Sequence, residues 1–514
     1  MPPWSSALAE VFPKNPELRS ESAYRAWFLS LCGILGDPLK AKTAQVAAIE
    51  AGVRIANPYS YKPAFKNSPG LTDLRLLHDV LMYAWGRLPD VLDPAAGGGS
   101  IPYEAIRYGL PTIGNDLNSV AAAILRAGVQ IPAGYGPELT DDLRMWGTQL
   151  ADRVTQRLAG FFPSGRDEQV ATFLFARTVA CPRTGKPVPL SPNWWLSKDK
   201  GGVAVRLVTE QRGKQLDQVE FEIVTGMAID FDPDKGTVAG GNGISPWDGL
   251  AIDGDHIKAE AQAGRMGSQL YAVAVRVNRK RGFRAATRTD LDALAAAEKE
   301  LAARLPGWLS TEIVPREEIP VGNKTLEPQR YGMTHWMDLF SPRQLLVHGT
   351  FVEEFKRIVP EVRAAMDKER ADAVLALLGM MQGKALNYNS RMSVWHPTRN
   401  SMANTFDRHD FAFKWSHGEF EGARELYPWC LEQLLDAYEG IAKLLEPPGG
   451  RQFLPATGSP VPGPITVMKS NAGDLRAIPD KSQTLVCIDP PTTTTSCTPS
   501  FPTSSSRGSS TRSG

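Results

Sequence analysis

The pattern that organises the chain is a short apolar pair, Val91-Leu92, that ends in Asp93-Pro94. It runs into Gly97, Gly98 and Gly99 before a helix-compatible segment opens near Ile101. Strand, tight glycine turn and helix is the order of a nucleotide-type cofactor loop. A second short strand then ends at Asn115-Asp116, and residues 119–127 are helix-compatible. In a doubly wound sheet both strands end on one carboxyl edge, so an acid closing the second strand faces the ribose hydroxyls of a ligand held by the first. Asp116 fits that role; the alternative is a helix-capping Asp. Before these strands, residues 1–90 read as mostly helical, with apolar residues at helical spacing over 23–35 and 71–88. The turn-rich stretch 57–70 between them carries two tyrosines and two lysines. It reads as a surface loop packing its aromatics, or as a contact for a phosphate or a base.

Farther along, the apolar strand YAVAV leads into RVNRKRGFR, residues 276–284, five cations around Phe283. Such a stretch is either a solvated hairpin end or a phosphate-contacting edge with an aromatic that stacks. Thr289 is expected to cap an amphipathic helix, with Asp290 and Asp292 in its first turn and Leu291, Leu294, Leu301 and Leu305 on one face. Ser341-Pro342 reads as a helix start, preceded by a turn carrying Tyr331, Trp336 and Phe340. These aromatics read as core, with a place beside a flipped base as the alternative. Residues 387–406, rich in amides and Arg, are a candidate DNA-reading loop. Residues 446–464, with repeated Pro and Gly, read as a linker.

Composition narrows this picture. The 514 residues, 42% hydrophobic and 22% charged, suffice for two to four packed domains of a globular protein. No apolar run reaches the roughly 18 residues needed to cross a bilayer, and MPPWSSALAE lacks the basic-then-apolar pattern of a secretion signal. The expectation is a cytoplasmic protein with no membrane partner. Five cysteines stand without a CxxC pair, so neither a disulfide framework nor an intact zinc site is visible. With a net charge of +1, nucleic-acid binding has to be argued from local patches.

The glycine loop itself discriminates among ligands. Counting GxGxxG from Gly97 puts Pro102 at the third glycine, and no Gly-Lys-Ser/Thr opens the helix. Without Lys or Arg at the turn, a phosphate is a poor ligand. An acid before a glycine turn suits a ligand with a positive end and no phosphate. S-adenosylmethionine is such a ligand: its ammonium and sulfonium favour Asp93, and the glycines let the backbone approach.

DPAAGGGSIPYEA resembles the DPFxGxGxxxxEA cofactor motif of amino-group DNA methyltransferases, with Ala95 where an aromatic is common. Three stretches, FLFARTVACPRTGKPVPLSPNWWLSKDKG, GTVAGGNGISPWDG and HIKAEAQAGRMGSQLYAV, resemble the middle of a family of large adenine-specific DNA methylases. RYGMTHWMDLFSPRQLLVHGTFVEEF is similar to the same family, and VMKSNAGDLRAIPDKSQTLVCIDPP resembles its strand, adenine turn, strand and Asp-Pro-Pro. The resemblance spans roughly residues 90–491. It implies a Rossmann-like, S-adenosylmethionine-dependent methyltransferase sheet of α/β class, interrupted by a large α+β insert.

The implied organisation is a helical region over 1–90, a first methyltransferase part over 91–140 and an insert over 141–330. A helical, DNA-recognition region over 331–445 follows, then the linker, a second methyltransferase part over 465–491 and a tail over 492–514. The cofactor residues implied are Asp93, Pro94, Ala95, Gly97, Gly99 and Asp116, with Asn471 where relatives carry an acid against the adenine and Asp474 as a nearby substitute. In relatives the insert carries a zinc-ribbon-like element with CPxCG knuckles. Here these read Cys181-Pro182-Arg183-Thr184-Gly185 and Ser245-Pro246-Trp247-Asp248-Gly249. Three of four ligands are gone, so no metal is expected, with the ribbon held by Trp194, Trp195 and Trp247.

The catalytic residues implied are Asp489, Pro490 and Pro491. In the family mechanism Asp489 and the Pro490 carbonyl accept the two N–H groups of the adenine amine, and an aromatic after the second Pro stacks on the flipped base. Here that position is Thr492, and the following residues have almost no apolar periodicity. Relatives continue DPPYYDNVMYSELSDFF. Deleting one base from CCC-TAC-TAC-GAC-AAC-GTC-ATG-TAC-TCC gives the Pro-Thr-Thr-Thr-Thr-Ser-Cys-Thr-Pro of residues 491–499. The expectation is a shifted frame, weak cofactor binding and lost methyl transfer; a genuine Ser/Thr-rich disordered tail is the alternative. The function expected is adenine-specific DNA methylation of restriction-modification or defence type, with DNA and defence or restriction partner proteins as partners. The rivals are a cytosine amino-group methyltransferase, a non-catalytic nucleic-acid-binding remnant, and an RNA or protein substrate.

Overall fold

The computed structural model describes residues 1–489, apart from Arg54, Ala56, Arg166, Arg408, His409, Pro448, Gly449 and Ala456. Pro490, Pro491 and the tail of 492–514 lie outside the described residues. The chain is mixed α/β and divides into two compact units. One is drawn from 1–24, 72–126 and the residues from 453 onward, the other from 25–71 and 127–452. No helix among the described residues is long and apolar enough to cross a membrane.

The first unit is built on a four-stranded sheet. Its strands are β1 (Val91–Asp93), β2 (Thr112–Asn115), β3 (Ile465–Met468) and β4 (Leu485–Val486), in the order β3-β2-β1-β4 and all parallel. The register sets Val91 opposite both Thr112 and Leu485, and Ile465 opposite Thr112. β1 is buried at all three residues, as expected of the inner strand of a parallel sheet covered on both faces. Helix α1 (Ser100–Arg107) joins β1 to β2, and α2 (Ser119–Leu125) follows β2. Gly114 lets α1 approach, since a Cβ there would sit 3.2 Å from Pro102 Cγ. Helix Leu71–Trp85 buries Leu74 against Leu454 and Val461, so the Pro/Gly-rich stretch before β3 contributes two core residues. On β4 and just beyond it Leu485, Val486 and Ile488 stay exposed.

The second unit has one large core. Helices Leu139–Leu158, Arg288–Ser310, Pro342–Ala365, Lys368–Tyr388 and Leu426–Leu445 pack with the strands Glu168–Ala180 and Gly267–Val277. Those strands belong to an antiparallel sheet that runs Lys280–Arg284, Gly267–Val277, Glu168–Ala180, Ser416–Phe420. A three-stranded antiparallel sheet, Trp195–Ser197, Val203–Gln211 and Lys214–Thr225, lies in the same unit.

Several expectations are corrected. The helix near 290 is capped by Thr287, not Thr289. The Asp290 N–H reaches Thr287 Oγ1 at 3.3 Å, and Asp290 Oδ2 accepts from Thr287 N at 2.8 Å, a reciprocal capping box. Arg284 pairs with Asp290 at 2.6 Å and buries it, which draws the helix start forward. Of the four leucines expected on one face, Leu301 is buried and Leu294 and Leu305 pack against the core, while Leu291 is exposed; Ala293, Ala297 and Trp308 complete the buried line. The basic stretch is a hairpin end, one of the two readings expected of it: Arg279, Lys280 and Arg281 are exposed there, while Arg284 also pairs with Glu168, Arg276 pairs with Glu425, and Phe283 packs edge-on against Trp395. In residues 387–406 Asn389, Ser390, Ser393 and Thr405 are buried, so those four groups do not read base edges, while Thr398 and Arg399 are exposed. Tyr331 and Phe340 pack in a cluster with Met333, Leu339 and Phe413, the core role expected of them.

Ser341 caps its helix as expected, in a capping box with Gln344, and its hydroxyl also donates to Glu419. Glu419 pairs with Arg343 at 2.9 Å; both side chains are buried, and the guanidinium lies 4.0 Å from the Phe173 ring centroid. A buried pair is destabilising to break, because one charge is then stranded. Glu419→Gln is expected to cost about 3–5 kcal/mol in denaturant unfolding, and adding Arg343→Met to regain much of it. Equal costs for the single and double variants would show that the pair is not the source.

Candidate functional site

β1 stops at Asp93 because Pro94 has no N–H to continue a ladder. The loop then turns through Gly97 at φ 52° and Gly99 at φ 85°, the left-handed region that glycine adopts at little cost. Three backbone donors fix it: Ala96 N–H to the Asn115 carbonyl at 2.9 Å, Gly97 N–H to Asp116 Oδ2 at 2.8 Å and Gly99 N–H to the Ala96 carbonyl at 2.7 Å. A Cβ at Gly97 or Gly98 would meet nothing within 4 Å, so this side of the loop is open. Pro94 is buried and Ala95 exposed.

Asp116 does not cap α2; Asn118 does, accepting from Val120 N–H at 2.8 Å. Asp116 holds the loop instead, with Oδ2 on Gly97 and Oδ1 accepting from Asn118 N–H at 2.8 Å. Asn115, which no sequence motif marks as a site residue, is the tie between segments. Its Nδ2 donates to the carbonyls of Pro94 and Ser470, both at 3.0 Å. Its Oδ1 accepts from Ser470 N–H at 3.0 Å and from Ser470 Oγ at 2.8 Å. The available signal was a polar residue, fully buried here, at the inward end of an apolar strand. Asn471, the next residue, is exposed, with Oδ1 accepting from Gly473 N–H at 2.9 Å in an Asx turn, and Asp474 pairs with Arg476.

β4 brings the other end of the chain to β1. Cys487 N–H donates to the Leu92 carbonyl at 2.9 Å, and Asp489 follows two residues later, exposed. The Asp93 carboxyl is held above its ordinary value, first by burial, against the lowering effect of the Ala95 N–H, and then by repulsion from Asp116 and Asp489. Carboxylates from the ends of β1, β2 and β4 therefore meet at one edge of the sheet. Among the described residues no Lys, Arg or His makes an ion pair with Asp93 or Asp116. An acidic edge beside an open glycine loop fits a cationic ligand carrying hydroxyls and does not fit a phosphate. An open hollow beside the turn after β3 is walled by Leu92, Asp474, Arg476, Ile478 and Lys481, and none of the three carboxylates lines it. A second, apolar cleft runs between α1 and β4, lined by Val91, Ile101, Glu104, Leu110, Leu485 and Cys487.

In the second unit the two degenerate knuckles do meet. Burial pushes the Cys181 thiol up, but hydrogen bonds from Thr184, Arg183 and Ser245 outweigh it, leaving the thiol below its ordinary value. Arg183 spans to Asp248 with two bonds, at 2.6 and 2.9 Å, so an ion pair ties the two knuckles together. Trp247 is buried in one cluster with Cys181, while Trp194 is buried in a separate cluster with Leu196 and Tyr271, and Trp195 is half-buried. Among the described residues no group of three or more His, Cys, Asp or Glu could hold a metal ion.

Compared with protein-family models, curated proteins and solved structures, the chain matches none.

Asn115→Ala is expected to strand the Pro94 and Ser470 carbonyls and to cost about 2–4 kcal/mol by unfolding. Asn115→Asp, which faces the Pro94 and Ser470 carbonyls with a buried carboxylate, should cost at least as much at neutral pH. A loss below about 0.5 kcal/mol for the alanine variant would remove the tie from the account.

Proposed function

We propose that the first unit is a Rossmann-like S-adenosylmethionine site, and that the chain is of the type that methylates the exocyclic amino group of adenine in DNA. The observation that carries this reading is the parallel pairing of β1 with β4, Val91 opposite Leu485 and Leu92 opposite Val486. It sets Asp489, which opens Asp-Pro-Pro, at the edge where the glycine loop and Asp93 stand. The sheet order β3-β2-β1-β4 reverses direction at that same junction, where doubly wound sheets take their ligands.

S-adenosylmethionine, when bound, supplies a methyl group on a sulfonium. The residues of the chain do the rest. Asp93 offers a buried negative charge with no ion-pair partner among the described residues, Gly97 and Gly98 leave the backbone open, and Asp116 holds the loop and closes β2 on the ribose side. Asp489 accepts an N–H from the target amine, and the Pro490 carbonyl takes the other, which localises the nitrogen lone pair. Positioning and charge placement supply the acceleration. Restriction-modification or defence is the setting this chemistry suits, with DNA as the partner.

Calorimetry with S-adenosylmethionine tests the site: saturable heat is expected, and its absence leaves only a non-catalytic nucleic-acid-binding chain. Asp93→Asn should weaken binding at least tenfold, about 1.4 kcal/mol. The same variant should keep or raise stability at pH 7. Because folding raises the Asp93 pKa above 3.8, its favourable contribution is complete below pH 3.8 and is lost as pH rises through the folded value. At pH 7 the buried carboxylate therefore works against the fold. Loss of binding together with loss of stability would contradict this division. If the frame shifts after Pro491, labelled methyl transfer to an adenine-containing duplex is expected to be lost in this chain and regained when the frame is restored; transfer to cytosine instead would overturn the adenine assignment.

A further inference from the structure

The second unit contains buried positive charge with no counter-ion. Arg177 on strand Glu168–Ala180 is 4% exposed, and its Nε donates to the Lys414 carbonyl at 2.8 Å. Its guanidinium lies 4.5 Å from the Phe413 ring centroid, and its Nη2 is buried without a hydrogen-bond partner among the described residues. Across the strand pair, His417 stands opposite Phe175 and stacks on it with centroids 5.3 Å apart. It is 2% exposed, and neither ring nitrogen has a partner among the described residues. Arg391 is the third member: half-buried, it stands in the turn whose Ser393 carbonyl accepts the N–H of Gly418, next to His417, at 2.9 Å, and its charge disfavours a further positive charge on Arg177 and His417.

Glu419 and Asp338 attract the Arg391 guanidinium from a distance, but among the described residues no carboxylate acts in this way on Arg177. Both Glu419 oxygens are taken, by Arg343 and by Ser341, and Asp338 is used in capping its own turn. Among the described residues no carboxylate makes an ion pair with Arg177 or Arg391. A guanidinium stays protonated in a protein, so its charge cannot be shed as a lysine's can. Two fixed cations and an imidazole with both nitrogens unused, on aromatic walls, form a cradle for a compact dianion.

We propose that Arg177, Arg391 and His417 form a binding site for a small oxyanion of the phosphate class. Two guanidinium charges match a phosphate dianion, and His417 in its neutral form supplies one N–H donor. Arg177 and His417 lie too deep for the backbone of a duplex; the half-buried Arg391 marks the way in for a free or terminal phosphate. The site lies in the second unit and does not depend on the methyltransferase reading of the first.

The full chain is heated in phosphate and in chloride at equal ionic strength, near neutral pH, and inorganic phosphate is titrated by calorimetry. A saturable rise in Tm with phosphate is expected, with half-saturation at or below about 1 mM. Arg391→Gln, at the accessible position, should raise the half-saturating concentration at least tenfold. Arg177→Met should abolish the phosphate response while raising Tm in chloride, because it removes an uncompensated charge. The exposed Arg288→Gln should leave the response unchanged. A mononucleotide 5′-phosphate that competes assigns the site to terminal phosphate, and one that does not restricts it to the free ion. No saturable response in the unmodified chain, or an equal response in Arg391→Gln, overturns the proposal.

Discussion

The architecture of the first unit depends on one parallel strand pair. β1 and β4 are almost 400 residues apart in sequence, and parallel strands cannot be joined by a tight turn, so after β2 the chain leaves the sheet and returns to it at β3 before this pair can close. The return is anchored on the other side by Asn115, whose four hydrogen bonds fix the loop after β1 and the exit of β3 to the end of β2. With these two constraints in place, the glycine loop, Asp116 and Asp489 share an edge without any of them having been adjacent in sequence. The intervening residues fold around a core of their own, which relieves the sheet of any need to organise them.

Both units hold charge in places that cost stability. At the sheet edge Asp93 is buried with like charges beside it; in the second unit Arg177 and Arg391 stand near each other with no described carboxylate paired to them. Elsewhere the molecule satisfies its buried ions carefully. Arg343 and Glu419 bond each other between aromatic rings, Arg284 reaches both Glu168 and Asp290, and Arg157 reaches Glu353 and Glu354. Against that habit, unpaired buried charge is the exception that points to a ligand of opposite sign, since such sites retain a strain that binding relieves.

What could be read from residues alone was local. Asp93 to Gly99 announces its turn because proline and glycine dictate backbone, Ser341-Pro342 announces a helix start, and β1 reads as a buried strand because its side chains need no alternation. What escaped depends on partners distant in sequence. Thr287 outcompetes Thr289 as a cap because Arg284 pulls Asp290 inward. The amide-rich stretch around Asn389 looks like a recognition loop until Gln344 and the Phe420 N–H claim its oxygen. Helix Pro38–Glu50 has no buried residue, so no apolar stripe announced it. Arg177 and His417 are ordinary in sequence and become notable only through the register of two strands.

The central claim is that the carboxylate ending β1 and the one following β4 belong to one site. The direct measurement is the pH dependence of S-adenosylmethionine binding in the unmodified chain and in Asp489→Asn. The account predicts that binding fades in acid with a midpoint above 3.8, the ordinary value for an aspartate, and that neutralising Asp489 moves the midpoint down. A midpoint that does not move would contradict it.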